Sequence, residues 1–220
     1  MNVGLTVFNV LEAIGVFAFA LSGAITAIER ELDVFGVIIM GLTTAMGGGV
    51  VRDMLIGKIP PSLFYSYEFV ALALVVSLLT FLVGYIANKK KVDIDIDSVN
   101  FINNIFDAIG LGTFSVLGVS IAMESGYTEN VFLCVSLGLL TGVGGGALRD
   151  VMSKSIPFIF NKRIYAVASI AGCLVFYYME LCSVSKILSV IAAITVTFAL
   201  RMFATIFKWK LPKIKLNNKE

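Results

Sequence analysis

The chain has 220 residues, of which 58% are hydrophobic and 15% charged, and its mean hydropathy is +0.94. Soluble domains run nearer about 45–50% apolar and about 25% charged, and a chain of this size still exposes much of its surface when folded. The excess therefore excludes a soluble enzyme and a disordered chain and leaves an integral membrane protein. There is no histidine, which removes His-based acid–base catalysis and His metal sites. The formal net charge of +2 says little; the placement of the charges says more.

A bilayer core requires about 20 apolar residues per helix. Seven stretches qualify, at roughly 3–28, 34–57, 66–87, 104–123, 130–153, 163–180 and 186–207. Nothing alternates with period two, so an outer-membrane barrel is excluded. The first span carries Glu12 and lacks a basic n-region and a cleavage site, so it reads as a permanent helix, not a signal peptide. The second holds Gly47-Gly48-Gly49 followed by Arg52-Asp53. The third is the clearest, with Phe69–Asn88 free of charge over 20 residues. The fourth carries Asp107, and the fifth repeats the pattern of the second as Gly144-Gly145-Gly146 and Arg149-Asp150. Pro60 and Pro157 are expected to end the two glycine spans. Cys134, Cys173 and Cys182 lie in apolar stretches without a CxxC pair and read as small buried hydrophobes. In the last span, Arg201 lies about two turns from the end and reads as a snorkelling side chain.

Threading seven spans through a membrane sorts the 17 Lys and Arg unevenly. Arg30, Lys89, Lys90, Lys91, Lys154, Lys162, Arg163, Lys208, Lys210, Lys213, Lys215 and Lys219 fall on one side, against Lys58 and Lys186 on the other, while Arg52, Arg149 and Arg201 sit within spans. The positive-inside rule then places the C-terminus in the cytoplasm and the N-terminus outside.

The chain also repeats itself. Asn9–Glu29 aligns with Asn104–Glu124 at 8 identities in 21 positions, and Gly41–Pro60 with Gly138–Pro157 at 10 in 20. Each copy holds three spans, and an odd number makes the second copy enter the membrane from the opposite side, so the repeat is expected to be inverted. The organisation read from this is a single membrane domain over 1–220. It comprises a first three-helix repeat at 5–88, a second, inverted one at 101–181, a seventh helix at 186–207 and a basic cytoplasmic tail at 208–220. The seventh helix has no counterpart in the repeats and is expected to close or assemble the bundle. The fold class is thus an all-α polytopic membrane protein.

Three glycines in a row, each about 1 kcal/mol worse than alanine in a helix, make a soft point at mid-span. Two readings follow. Either both helices kink or unwind at Gly47–Gly49 and Gly144–Gly146 and offer backbone groups to a permeant species, or the glycines permit close helix packing. Thr44 and Thr141 precede the triplets, and their hydroxyls could bond the carbonyl four residues back or coordinate a cation. Charges inside spans are costly and usually paired, so topology pairs Glu12 with Arg52 and Asp107 with Arg149, beside Asp53 and Asp150, as structural locks or as gating groups. Gly15 and Gly23, matched by Gly110 and Gly118, each share a helix face and suggest close contacts. Ser22 aligns with Leu117, so the two halves cannot be identical.

The doubled GGGxxRD motif, each copy preceded by a span with an acidic residue followed by Ala-Ile-Gly, resembles the prokaryotic branch of the trimeric intracellular cation (TRIC) channel family. The likeness extends over roughly residues 5–205. It implies a homotrimer with one pore per protomer, permeable to potassium and less selectively to sodium, lined by the bent second and fifth helices at the glycine triplets. Two departures matter. Glu12 stands where aspartate is usual, and the basic fourth-helix segment of the animal relatives has no match in Gly110–Glu124, so their phosphoinositide regulation does not transfer.

The sequence thus reads as a passive monovalent-cation channel of a prokaryotic plasma membrane, with K+ and Na+ permeant, membrane lipid around it, and no cofactor, structural metal or nucleic acid. Because some bacterial relatives are described as glycine uptake proteins, a secondary transporter for a small zwitterion is the alternative. An intramembrane enzyme has no nucleophile–base pair to stand on, since Asp53 and Asp150 adjoin arginines.

Overall fold

The computed structural model describes residues 3–93, 95–161, 164–207 and 209, with side chains omitted at 3–6 and 160–161. Within it are seven long helices: α1 (Val3–Glu29), α2 (Val34–Leu55), α3 (Tyr67–Lys89), α4 (Ile96–Ala122), α5 (Val131–Met152), α6 (Tyr165–Leu181) and α7 (Lys186–Ile206). Six are long and apolar enough to cross a membrane, and α6, at 17 residues, is the short one. Lys162, Arg163 and all of the tail 208–220 except Trp209 lie outside the described residues.

The boundaries follow local chemistry. Asp33 caps α2 by accepting from the Gly36 amide at 2.7 Å, and Asn130 caps α5 through the Leu133 amide at 3.0 Å. α4 starts eight residues before the apolar stretch expected at 104, because Asp95 caps it through the amides of Asp97 and Ser98. The Ser98 hydroxyl and those amides hold the Asp95 carboxyl below its usual pKa. Pro60 and Pro157 do not terminate α2 and α5; the helices stop at Leu55 and Met152, and the prolines lie in the loops beyond.

Both glycine helices close with the same left-handed turn. Gly57 (φ 75°) ends α2 and Lys154 (φ 54°) ends α5, with the next amide in each turn reaching back to the Asp53 or Asp150 carbonyl at 2.8 and 2.9 Å. A Cβ is strained in that region. Replacing exposed Lys154 by glycine is therefore expected to raise stability by about 0.5–1 kcal/mol, net of glycine's greater unfolded-state freedom. Thermal unfolding in detergent measures this, and Gly57→Ala should move the midpoint the other way.

The helices α1, α2, α5 and α4 pack in a closed ring. α3 lies on α1 and α2, α6 lies correspondingly on α4 and α5, and α7 covers α4 and α6. The fourth helix is the centre: 78% of its apolar window is buried, against 17% for α3, whose Val75, Leu79 and Val83 face outward. Cys134 and Cys173 are buried as expected, but Cys182 is exposed, because it is the residue on which α6 ends.

Candidate functional site

At the middle of the ring α2 crosses α5, and the contacts fix the sense of the crossing. A Cβ on Gly48 would strike the Thr141 carbonyl, and one on Gly145 would strike the Thr44 carbonyl. Residue numbers rise along one helix as they fall along the other, so the two helices run antiparallel. The same reciprocity holds between α1 and α4, where Gly15 faces Phe114 and Gly110 faces Phe19. The Phe19 and Phe114 rings meet beside the crossing with centroids 5.2 Å apart. These phenylalanines occupy equivalent positions in the two aligned copies and are one of their identities, a signal that the search for polar groups passed over.

The glycine triplets do not unwind. Both α2 and α5 are helical from end to end, so of the readings left open the triplets are not unwound and the close packing is present. The propensity lost at glycine is offset by the backbone approach it allows, with the carbonyl of one helix lying against the glycine of the other. Thr44 donates to the Met40 carbonyl at 2.7 Å and Thr141 to that of Leu137 at 2.6 Å, so both buried hydroxyls are satisfied within their own helices. Each also lies against a small residue of the preceding span, Thr44 on Gly23 and Thr141 on Gly118.

Each glycine in a triplet has its own neighbour. Gly47 faces Leu148, and Gly144 faces the Gly48 backbone. Gly49 has only Arg52 Nη2 nearby, 3.7 Å from where its Cβ would lie, and opens onto a cavity of about 20 Å³. That volume accommodates about one water molecule. Its lining includes Glu12, Arg52, Asp53, Ser62, Phe69 and Phe114. Gly146, at the corresponding place in the second half, instead meets the Tyr165 hydroxyl.

The charged motifs form two matched clamps. Arg52 Nη2 lies 2.7 Å from Asp53 Oδ1, and Asp53 Oδ2 accepts from the Ser62 amide at 2.7 Å and from the Ser62 hydroxyl. In the second half, Arg149 Nη2 lies 2.8 Å from Asp150 Oδ1, and Asp150 Oδ2 accepts from the Phe158 amide at 2.7 Å. Each aspartate thus ties the end of its glycine helix to the following loop. Neighbouring arginine and aspartate pair along the chain in a way that the expected cross-helix partnerships did not include.

Beyond the clamps the halves diverge. Arg149 Nη1 reaches Asp107 Oδ1 at 2.8 Å and Ser22 Oγ at 2.7 Å. Glu12 makes no ion pair with Arg52 among the described residues; it is half-buried beside the small cavity, and the Arg52 guanidinium turns to Asp53 and Ser62. Arg201 does not snorkel. It is 2% exposed, its Nη2 lies 3.5 Å from Asp107 Oδ2, and its guanidinium stacks 4.7 Å above the Tyr165 ring. The reason is local: Asp107 has an oxygen that Arg149 does not reach, and a buried carboxylate attracts a cation more strongly than the interface does. Sequence reasoning also missed Tyr165, which lies seven residues beyond the Phe158 amide as Phe69 lies seven beyond that of Ser62, and the role of Ser22 as an acceptor for Arg149.

A protein-family model described as "Glycine transporter" matches residues 9–85 and again 104–180. The UPF0126 membrane protein YvgT of Bacillus subtilis is 33% identical over 205 residues, covering 93% of this chain and 95% of that protein. Among solved structures, one described under conductance through TRIC cation channels superposes with a TM-score of 0.80 at 35% identity, over 96% of this chain and 98% of that one. The TRIC trimeric intracellular cation channel orthologue from Rhodobacter sphaeroides superposes with a TM-score of 0.83 at 26% identity, over 93% and 100%. The chain belongs to the family of the glycine transporter model and the UPF0126 membrane proteins, and it is a multi-pass membrane protein with the fold of the prokaryotic TRIC channels.

Proposed function

We propose that this protein is a passive channel for monovalent cations, potassium-permeable and also open to sodium, with one conduction path in each protomer of a homotrimer. The observation that carries the reading is the antiparallel crossing of α2 and α5, reached from either side past a clamped Arg-Asp pair and an acidic residue of α1 or α4. Its support is the likeness over nearly the whole chain to proteins described as cation channels. The path would run from the Glu12 side, past Gly49, through the crossing at Gly48 and Gly145, to the Asp107 side. Conduction requires the packed crossing to loosen by helix bending at the triplets, where the Thr44 and Thr141 carbonyls would then replace part of an ion's hydration shell. The arginines would repel cations unless neutralised, which gives the adjoining carboxylates a part in permeation. The two halves form an inverted repeat in this reading, with the N-terminus outside and the C-terminus in the cytoplasm of a prokaryotic plasma membrane. An apolar groove of about 670 Å³ along α1, α3 and α4 suits lipid acyl chains.

The test is single-channel recording from purified protein in planar bilayers under a KCl gradient, followed by replacement of potassium with sodium. Discrete unitary currents reversing on the cation side are expected. The family's description as glycine transporters favours a second reading, in which the arginine and aspartate side chains receive the two charges of a zwitterion. Saturable glycine uptake coupled to an ion gradient, from a preparation that carries no unitary current, would replace the first reading with the second.

A further inference from the structure

The seventh helix lies outside the repeat, yet it places a side chain at the heart of one half. Aligning the halves pairs Glu12 with Asp107 and Gly49 with Gly146, and Phe69 and Tyr165 each lie seven residues beyond the loop amide that the clamping aspartate accepts, Ser62 and Phe158. On the first side these residues border the cavity of about 20 Å³. On the second, the Tyr165 hydroxyl fills the place beside Gly146 and the Arg201 guanidinium lies over the Tyr165 ring. The difference in charge between the halves is a cation delivered by α7.

We propose that Arg201 is a tethered cation that closes the Asp107 side of the path by holding the place on Asp107 Oδ2 that a permeant monovalent cation takes when the path is open. This rests on the channel reading above and names a residue that controls it.

Three observations carry the inference. Asp107 divides its oxygens: Oδ1 receives Arg149 at 2.8 Å and the Tyr165 hydroxyl at 3.4 Å, while Oδ2 has Arg201 alone among the described residues. Arg201 is also held loosely for a buried cation. Among the described residues its one ion pair is 3.5 Å long and its Nε has no partner; Arg149 Nη2 also lacks a well-aligned hydrogen bond, but Arg149 lies 2.7–2.9 Å from Asp107, Asp150 and Ser22. A buried donor without an acceptor weakens the bound arrangement, and the long stem of arginine gives the guanidinium other rotamers to take. Finally, the cluster is neutral only with Arg201 present, as Arg149 and Arg201 balance Asp107 and Asp150. If the guanidinium swings away, a potassium ion restores that balance at a carboxylate oxygen beside an aromatic face, the same chemistry that holds Arg201 now.

The test compares Arg201→Gln, Arg201→Met and Arg201→Lys with the parent chain, each checked for intact assembly by gel filtration. In bilayers, Gln and Met should raise open probability on the order of tenfold, the scale of a single coupling contact, while Lys stays near the parent. Methionine keeps the apolar stem and serves if glutamine does not assemble. The second readout is thermal unfolding with KCl exchanged for N-methylglucamine chloride at constant ionic strength. The Gln and Met variants should gain stability from potassium and the parent should not, because only in the variants is Asp107 Oδ2 free to bind it. If the parent conducts while the assembled variants open no more often and gain nothing from potassium, the tethered-cation proposal falls alone. If parent and variants are all assembled and silent, the channel reading falls and takes this proposal with it.

Discussion

Gly48→Ala and Gly145→Ala are expected to destabilise the protein severely, whereas Gly49→Ala, one residue away in the same triplet, should be neutral or stabilising. A methyl group at 48 would overlap the Thr141 carbonyl, and one at 145 the Thr44 carbonyl. Both obstacles are backbone atoms in the middle of helices, so no side-chain rotation relieves them, and α2 must part from α5 along their whole contact. Overpacking of a rigid site costs about 1–3 kcal/mol, and a helix pair forced apart lies at or above the top of that range. At Gly49 the nearest atom is Arg52 Nη2 at 3.7 Å, ordinary contact, and alanine gains up to about 1 kcal/mol of helix propensity. Gly47→Ala falls between, because it meets the end of the flexible Leu148 side chain at 2.5 Å. Thermal unfolding in detergent orders the variants, with 48 and 145 lowest and 49 at or above the parent. Equal losses at all three positions would mean that flexibility of the triplet, not the approach of α5, determines stability.

This ordering also marks where the sequence was informative. Seven helices, the doubling of the chain and the Asp107–Arg149 pair were legible because bilayer length, repeated motifs and the cost of buried charge each leave a strong pattern. The triplets were ambiguous for a physical reason: a glycine that softens a helix and a glycine that admits a neighbouring backbone are the same residue, and only the position of the Thr141 carbonyl decides. The start of α4 was missed because Asp95 and the polar turn behind it extend a helix beyond its apolar stretch, where hydropathy carries no signal. Arg201 was misread because distance to the helix end favoured snorkelling, while its partner Asp107 lies 94 residues away in sequence. The same separation hid Ser22, whose polarity in an otherwise matched repeat was the one available hint.

The second large effect is expected at Asp107, with Glu12 as its contrast. Asp107→Ala removes the acceptor of Arg149 Nη1 and of Arg201 Nη2 together, and it leaves Arg201 buried without a carboxylate among the described residues. Removing one member of a buried ion pair costs about 3–5 kcal/mol, chiefly from the uncompensated charge that stays behind. Arg149 keeps Asp150 and Ser22, so most of the loss is assigned to Arg201. Neutralising Arg201 as well should therefore restore stability: Asp107→Ala with Arg201→Met is expected to unfold at a higher temperature than Asp107→Ala alone. Glu12→Ala should cost under about 1 kcal/mol, because Arg52 retains Asp53 and Ser62 and the lost carboxylate is only half-buried. For the same reason the double change of Glu12 and Arg52 should be close to additive, whereas that of Asp107 and Arg201 should be strongly non-additive. Full double-mutant cycles on both pairs measure this directly. Coupling at Glu12–Arg52 as large as at Asp107–Arg201 would mean that the Glu12 side is also held by its own ion pair and that the two halves are electrostatically alike. Weak coupling there, with strong coupling around Asp107, makes the electrostatic asymmetry between the halves a property of the seventh helix, the single long helix that the duplication does not supply.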